Sequence, residues 1–210
     1  MIIVVEGISA AGKTTWCRAH APHSLIRETF PDDRHLQPQS GPVNAAYWTR
    51  WNAKRWNDAL VMEAEQGQAV CDTDPLKLHY TWCHYRIGLV DKAEWQLHRD
   101  AAKQAFLNRQ LGFADAYFVK RIDPVIARRQ RDADVNRIRN RFEVHVLLQP
   151  PLIRWYQLLD TVLGGRVQWQ LPDQGPDFTV LTSNPRRHDI AAFDDFMALL
   201  DQDREGDADR

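Results

Sequence analysis

The sequence predicts an α/β fold: a three-layer sandwich around a five-stranded parallel sheet, with an arginine-rich lid. Three observations predict it. Short apolar runs alternate with segments of helical period along most of the chain. The first run, Ile2 to Val5, leads through Glu6 into a glycine loop that opens a helix. Acidic residues follow the ends of the second and third runs, where open α/β sheets place their ligands.

The loop runs Gly7, Ile8, Ser9, Ala10, Ala11, Gly12, Lys13, Thr14, Thr15 and fits the G-x-x-x-x-G-K-[ST] spacing of a phosphate-binding loop. Such a loop turns backbone N–H groups inward, and the following helix adds the positive end of its dipole, so a polyphosphate is cradled. Lys13 is placed to reach the β- and γ-phosphates and Thr14 to offer its hydroxyl to Mg²⁺. ATP and Mg²⁺ are therefore the expected cofactors. A chance glycine turn between strand and helix is the competing explanation.

The remaining elements follow in order. The first helix spans about 14–20 and ends at Ala21-Pro22. Ser24 to Ile26 is a brief second strand, and Glu28 follows it. Glu28 is either a group for the chemistry, as a base or as an acid on the Mg²⁺ side, or a loop carboxylate paired with Arg27 or Arg34. A polar, proline-bearing loop, 32–43, precedes a long helix ending at Gln66 before Gly67. Trp48, Trp51, Arg55, Ala59 and Met62 share a stripe on that helix. Core or dimer packing explains such a stripe; an aromatic such as Trp48, with Arg55 or Arg50, facing a planar substrate is the sharper alternative.

Ala69 to Cys71 is the third strand, followed by Asp72. An acid there orders Mg²⁺ in phosphate-loop proteins. Asp74 is either its partner at the substrate or a cap for the helix expected over Lys77 to Ile87. Tyr80 on that helix is a further candidate for the substrate pocket. Asp91 caps a helix over about 92–111, and Ala116 to Val119 is the fourth strand.

Between Lys120 and Arg141 stand eight basic and three acidic residues. Arg128, Arg129, Arg131, Arg137, Arg139 and Arg141 fall within fourteen positions. A solvated face, a nucleic-acid contact, and a lid that closes arginines over transferring phosphoryl groups all fit this density; the phosphate loop favours the lid. Arg128 and Arg137 are then expected at the chemistry and Arg129 at ATP. A helical stretch, 142–163, is interrupted at Pro150-Pro151. Arg166 to Leu171 alternates as a fifth strand, and an amphipathic helix covers about 189–200. One domain is expected over 1–203, with the lid at about 128–141 and an acidic, frayed tail over 204–210.

Composition bounds the function. A net charge of −1 over 210 residues suggests neither a nucleic-acid coat nor a membrane surface. No apolar run approaches the roughly 18 residues of a membrane span. Cys17, Cys71 and Cys83 are odd in number and fit no zinc spacing, so reduced thiols in a cytoplasmic protein are expected. The apolar run at the N-terminus reads as a core strand and not as a signal peptide.

Val5-Glu6-Gly7, Arg27-Glu28, Val70-Cys71-Asp72, Asp123-Pro124 and Arg141-Phe142-Glu143 together resemble motifs of the thymidylate kinase and deoxynucleoside kinase branch of the P-loop kinases. The resemblance covers most of the chain, from Ile2 to about Leu171. It implies phosphoryl transfer from ATP to a nucleoside or nucleoside monophosphate. It also implies Glu28 as the carboxylate that deprotonates a hydroxyl, Asp72 as the metal-side acid, and pairing as a homodimer through helices like the Trp-rich one. Three departures stand out. Ser9-Ala10 replaces the acid of the thymidylate kinase loop, Thr73 replaces the arginine after Asp72, and no proline follows Glu28. A hydroxylated natural product as acceptor, or a switch ATPase that is no kinase, also fits the chain.

Overall fold

The computed structural model describes residues 1–134 and 141–208, and side chains up to Asp203. Five parallel strands, β1 (Ile2–Glu6), β2 (Leu25–Ile26), β3 (Ala69–Asp72), β4 (Ala116–Val119) and β5 (Val167–Gln168), form one sheet in the order β2-β3-β1-β4-β5. The strand bearing the glycine loop is thus central. Ile2 pairs with Ala69 on one side and Ile3 with Ala116 on the other.

Alternation along β1 divides the core. Ile2 and Val4 face a large apolar cluster. It is built with the helices α2 (Gly41–Gln66), α3 (Leu78–Arg86), α4 (Lys92–Leu107), α7 (Gln149–Leu163) and α8 (Ile190–Ala208). Ile3 and Val5 face a smaller cluster with Trp16 and Cys17 of α1 (Lys13–His20), closed by Leu171, Phe178 and Leu181 of the loop after β5. Strands buried on both faces read as continuous apolar runs, which is how β1 reads. All three cysteines are free and buried. Among the described residues no helix is long and apolar enough to cross a membrane.

Local chemistry sets the boundaries. Pro42 stands in the first turn of α2, where its missing N–H costs nothing, and Gly67 ends the helix with φ 76°. The apolar stretch after Arg141 breaks at Leu148 into α6 (Phe142–Leu147) and α7, whose first turn holds Pro150 and Pro151.

Three boundaries differ from expectation. α4 stops at Leu107, not near 111, because Arg109 turns left-handed (φ 57°) and Gln110 bonds back to Ala105 O. β5 keeps two residues of the expected six. The chain leaves the sheet toward Trp169, which is exposed, and Pro172. The acidic end is helical to Ala208: Asp203 accepts from Arg86 and from Arg154 (2.6 Å), and Asp201 from Arg99 (3.0 Å). These arginines, on three other helices, hold Asp201 and Asp203, just ahead of the tail expected to fray over 204–210.

Candidate active site

The glycine loop leaves β1 with little freedom. Gly7 has φ 151°, and a Cβ there would lie 2.7 Å from Lys120 O, so only glycine fits. Gly12, at φ 84°, caps α1, and Ala10 adopts the left-handed region at φ 66°. The first turn of α1 has N–H groups without intrahelical partners, aimed into the loop. Lys13 Nζ donates to Gly7 O (2.6 Å) and Ile8 O (3.2 Å), folded over the cradle that a phosphate would fill.

Thr14 Oγ1 donates to Asp72 Oδ2 at 2.6 Å, bridging α1 and the end of β3. Asp72 Oδ1 is buried without a hydrogen-bond partner. A carboxylate oxygen accepts only, so an orphaned one beside a bound hydroxyl suits a divalent cation or its water. Thr14 and Asp72 thus fit Mg²⁺.

Beneath the loop lies a buried carboxylate, Glu6. Its Oε1 accepts from Gly7 N (2.9 Å), and its Oε2 from Asp74 N (3.1 Å), with His79 Nε2 at 3.3 Å. Burial pushes Glu6 up, but His79, Lys13, Lys77 and the Gly7 amide outweigh it, and Glu6 ends below the usual range. Burial also brings His79 down to about 4 against the pull of Glu6. The pair is therefore a carboxylate and a neutral imidazole at pH 7. Glu6 ties the first residue of the phosphate loop to the turn that follows β3.

A cleft of about 1290 Å³ opens from this loop along the C-terminal ends of the strands. Every residue expected at the cofactor from Gly7 to Thr15 lines it. So do Glu28, Asp72, Trp48, Arg55 and Tyr80. Their roles differ, however. Glu28 pairs with neither Arg27 nor Arg34: its Oε1 lies 2.5 Å from Lys77 Nζ. Burial pushes Glu28 up, but the charge and hydrogen bond of Lys77, with Lys13 and Arg55 adding, hold it at about 2. Arg55 is buried and its Nη2 donates to Asp72 O (3.1 Å) and Thr73 O (2.9 Å), which fixes the turn carrying the acid, while its Nε is buried without a partner. Trp56 and Ala59 take the core side of α2, while Trp48 and Trp51 face the cleft. Trp51 Nε1 donates to Thr29 O (2.9 Å), and Arg34 lies 4.0 Å over Phe30 and 5.9 Å from Trp48. Tyr80 sits 4.3 Å from His84.

Asp74 stands apart from the other candidates. It does not line the cleft: its Oδ1 accepts from Leu76 N (2.9 Å), and its Oδ2 from Tyr156 Oη (3.2 Å). The capping alternative describes it better, although it caps the turn before α3 and not the helix itself. Burial, with the Glu6 charge adding, lifts its carboxyl to about 7.

Arg128 and Arg129 stand on α5 (Pro124–Ala133) and do not line the cleft. Glu143 explains the placement of Arg128, accepting from its Nη2 at 2.7 Å and also binding Arg131 (3.2 Å). Arg137 and Arg139 lie outside the described residues. Sequence reasoning missed Lys77. It falls in Asp74-Pro75-Leu76-Lys77, which reads as a helix start, yet α3 begins one residue later, and Lys77 is left-handed at φ 50°. No local signal marks it, since its partner Glu28 comes from another strand.

No protein-family model and no curated protein matches the chain. Solved structures do. A deoxyadenosine kinase from M. mycoides with bound dATP superposes with a TM-score of 0.55 at 15% identity, over 85% of this chain and 94% of that one. The same enzyme with dCMP and a flexible dCDP as products gives 0.54 at 14%, over 96% and 100%. The NadR protein in complex with NR gives 0.55 at 18%, over 94% of this chain but 51% of its own. At these identities the likeness is one of fold. A parallel sheet in the order β2-β3-β1-β4-β5, with a glycine loop on its central strand, gives this chain the P-loop fold seen in nucleoside kinases.

Proposed function

We propose that the chain is an ATP- and Mg²⁺-dependent kinase that transfers a phosphoryl group to a nucleoside or nucleoside monophosphate. One observation carries this reading. The glycine loop and the aromatic wall of Trp48, Trp51 and Tyr80 line a single cleft of about 1290 Å³. Pockets for one small ligand usually hold roughly 300–1,000 Å³. A switch ATPase needs room for a nucleotide alone, whereas a kinase must seat donor and acceptor together.

The loop amides and Lys13 bind the donor phosphates, and Thr14 and Asp72 hold Mg²⁺. The ion, when bound, neutralises charge on the phosphate oxygens. Glu28 receives the acceptor on the facing wall, and the aromatic side chains sandwich a planar group. Arg128 and Arg129 belong to the pool of lid residues; Arg128 reaches the phosphates only by leaving Glu143.

The test is ADP release with Mg·ATP over a panel of nucleosides and monophosphates. Turnover that depends on one acceptor is expected. Hydrolysis without any acceptor dependence, stimulated instead by nucleic acid, overturns the kinase reading in favour of a switch ATPase.

A further inference from the structure

One cation stands where the empty loop disfavours it. Lys120 follows β4, and its Nζ lies 3.9 Å from where a Cβ on Gly12 would stand, at the N-terminal end of α1. Resting on the donor side of the kinase reading above, we infer that Lys120 is a second phosphate-binding cation of the glycine loop. It takes the α- and β-phosphates of the donor, the part that leaves as ADP, while Lys13 takes the transferred end.

Lys120 is built in place. Its N–H donates to Glu6 O (2.8 Å), continuing the ladder in which Glu6 pairs with Val119. Its carbonyl closes on Gly7, 2.7 Å from the position of a Cβ there. Two residues on, the buried amide of Gln149 clamps Ile122, accepting from its N–H (2.9 Å) and donating to its carbonyl (2.8 Å). The stretch after β4 is thus fixed at both ends, and it carries a half-buried lysine along the flank of the phosphate loop. The nearest carboxylate in sequence, Asp123, turns instead to the start of α5, accepting from Val125 N (2.7 Å) and Ile126 N (3.3 Å).

Among the described residues the Lys120 ammonium has no hydrogen bond and no ion pair. Its surroundings are positive. The first turn of α1 is the positive end of the helix dipole, and Lys13 is the residue after Gly12. Lys13 meets the same field by folding onto Gly7 O and Ile8 O; Lys120 has no such bond. A cation at a helix N-terminus is unfavourable alone and becomes favourable when an anion joins it. Local conflicts of this kind collect at functional sites. Glycine at position 12, with φ 84°, puts no side chain between the lysine and the loop.

Position selects the phosphates. The amides of a phosphate loop cradle the α- and β-phosphates, and its lysine reaches β and γ. An ammonium beside Gly12 meets the first pair. Lys120 does not line the cleft that carries the aromatic wall, so it serves the donor and not the acceptor. Charge-assisted bonds to phosphate are stronger than neutral ones, so the loss of this one is measurable on ADP without any acceptor.

The test is calorimetric titration of Mg·ADP and Mg·ATP, with melting temperatures of the free protein, in wild type, Lys120→Met and Lys120→Arg. Lys120→Met keeps the length of the side chain and removes its charge. Its Kd should rise about 10-fold for both nucleotides alike, the order expected for one hydrogen bond to a charged group. Its free form should melt at the wild-type temperature or above, because a like charge has left the helix N-terminus. Lys120→Arg should recover most of the affinity. Equal affinity in wild type and Lys120→Met removes Lys120 from the role and leaves the kinase reading standing. Free Lys120→Met that melts well below wild type assigns the lysine to the fold and overturns the inference too. Weaker ATP binding with ADP unchanged moves the contact to the γ-phosphate and overturns the placement. Wild-type protein that binds neither nucleotide overturns the donor site itself.

Discussion

The two ends of the cleft are built in opposite ways. On the kinase reading the donor end is local: Gly7 to Thr15 supplies the loop, the cation and the hydroxyl within nine consecutive residues, and Asp72 joins them from the end of β3. The end proposed for the acceptor is assembled from distant pieces. Glu28 follows β2, Trp48 and Trp51 stand on α2, and Lys77 and Tyr80 come from the turn and helix after β3. A contiguous site tolerates little variation, because each backbone angle constrains the next. A dispersed site can change one wall while the others stay.

The largest expected effect separates the two ends. Lys13→Ala removes a charge from the donor phosphates, and loss of one such stabilising group costs about 10²–10³ in rate. Turnover should fall toward the upper end of that range with every acceptor alike. A variant that kept full turnover with any acceptor would break the assignment of the donor end. Glu28→Gln acts on the other end. It keeps the shape but can take no proton and pairs weakly with Lys77, so a fall of about 10²-fold is expected. ATP binding, measured by calorimetry with Mg²⁺, should be unchanged. If both variants lost nucleotide affinity equally, the division into two ends would be wrong.

The same contrast explains what could be read in the sequence. The strands β1, β3 and β4 were legible because they are buried on both faces, and Ile2 to Val5 has no polar break. The phosphate loop was legible because its glycines answer steric demands that other residues fail, as the 2.7 Å approach of Lys120 O to a Cβ on Gly7 shows. Helical periodicity gives the face on which Arg55 stands but not its partners; the carbonyls of Asp72 and Thr73 accept from its Nη2. Lys77 was missed because its conformation is imposed by bonds to Asp74 O and from Tyr80 N, and its partner lies 49 positions away. Glu143 shows the same limit in the arginine-rich segment: density of arginine says nothing about the carboxylates that hold Arg128 and Arg131.

Asp74 offers a smaller effect and a sharper probe of how the two ends are joined, because it lies under both and lines neither. Its backbone N–H is bound by Glu6 below the donor loop, and its own carboxyl caps the turn that leads to Lys77. Burial, with Glu6 adding, raises that carboxyl from its ordinary value of 3.8 to about 7. A folded-state value above the unfolded one means that the native state holds the proton longer. Asp74 therefore favours folding least when ionised, and its contribution declines as pH rises from about 4 to about 7, then levels off. Between pH 5.5 and 8 the decline amounts to about 2 kcal/mol. Asp74→Asn keeps an oxygen for Leu76 N and cannot ionise. Urea unfolding of both proteins across this range should give a wild-type-minus-variant difference that falls by about that amount. Parallel curves would mean that Asp74 stays ionised or protonated throughout, and that the joint between the two ends carries no titrating group.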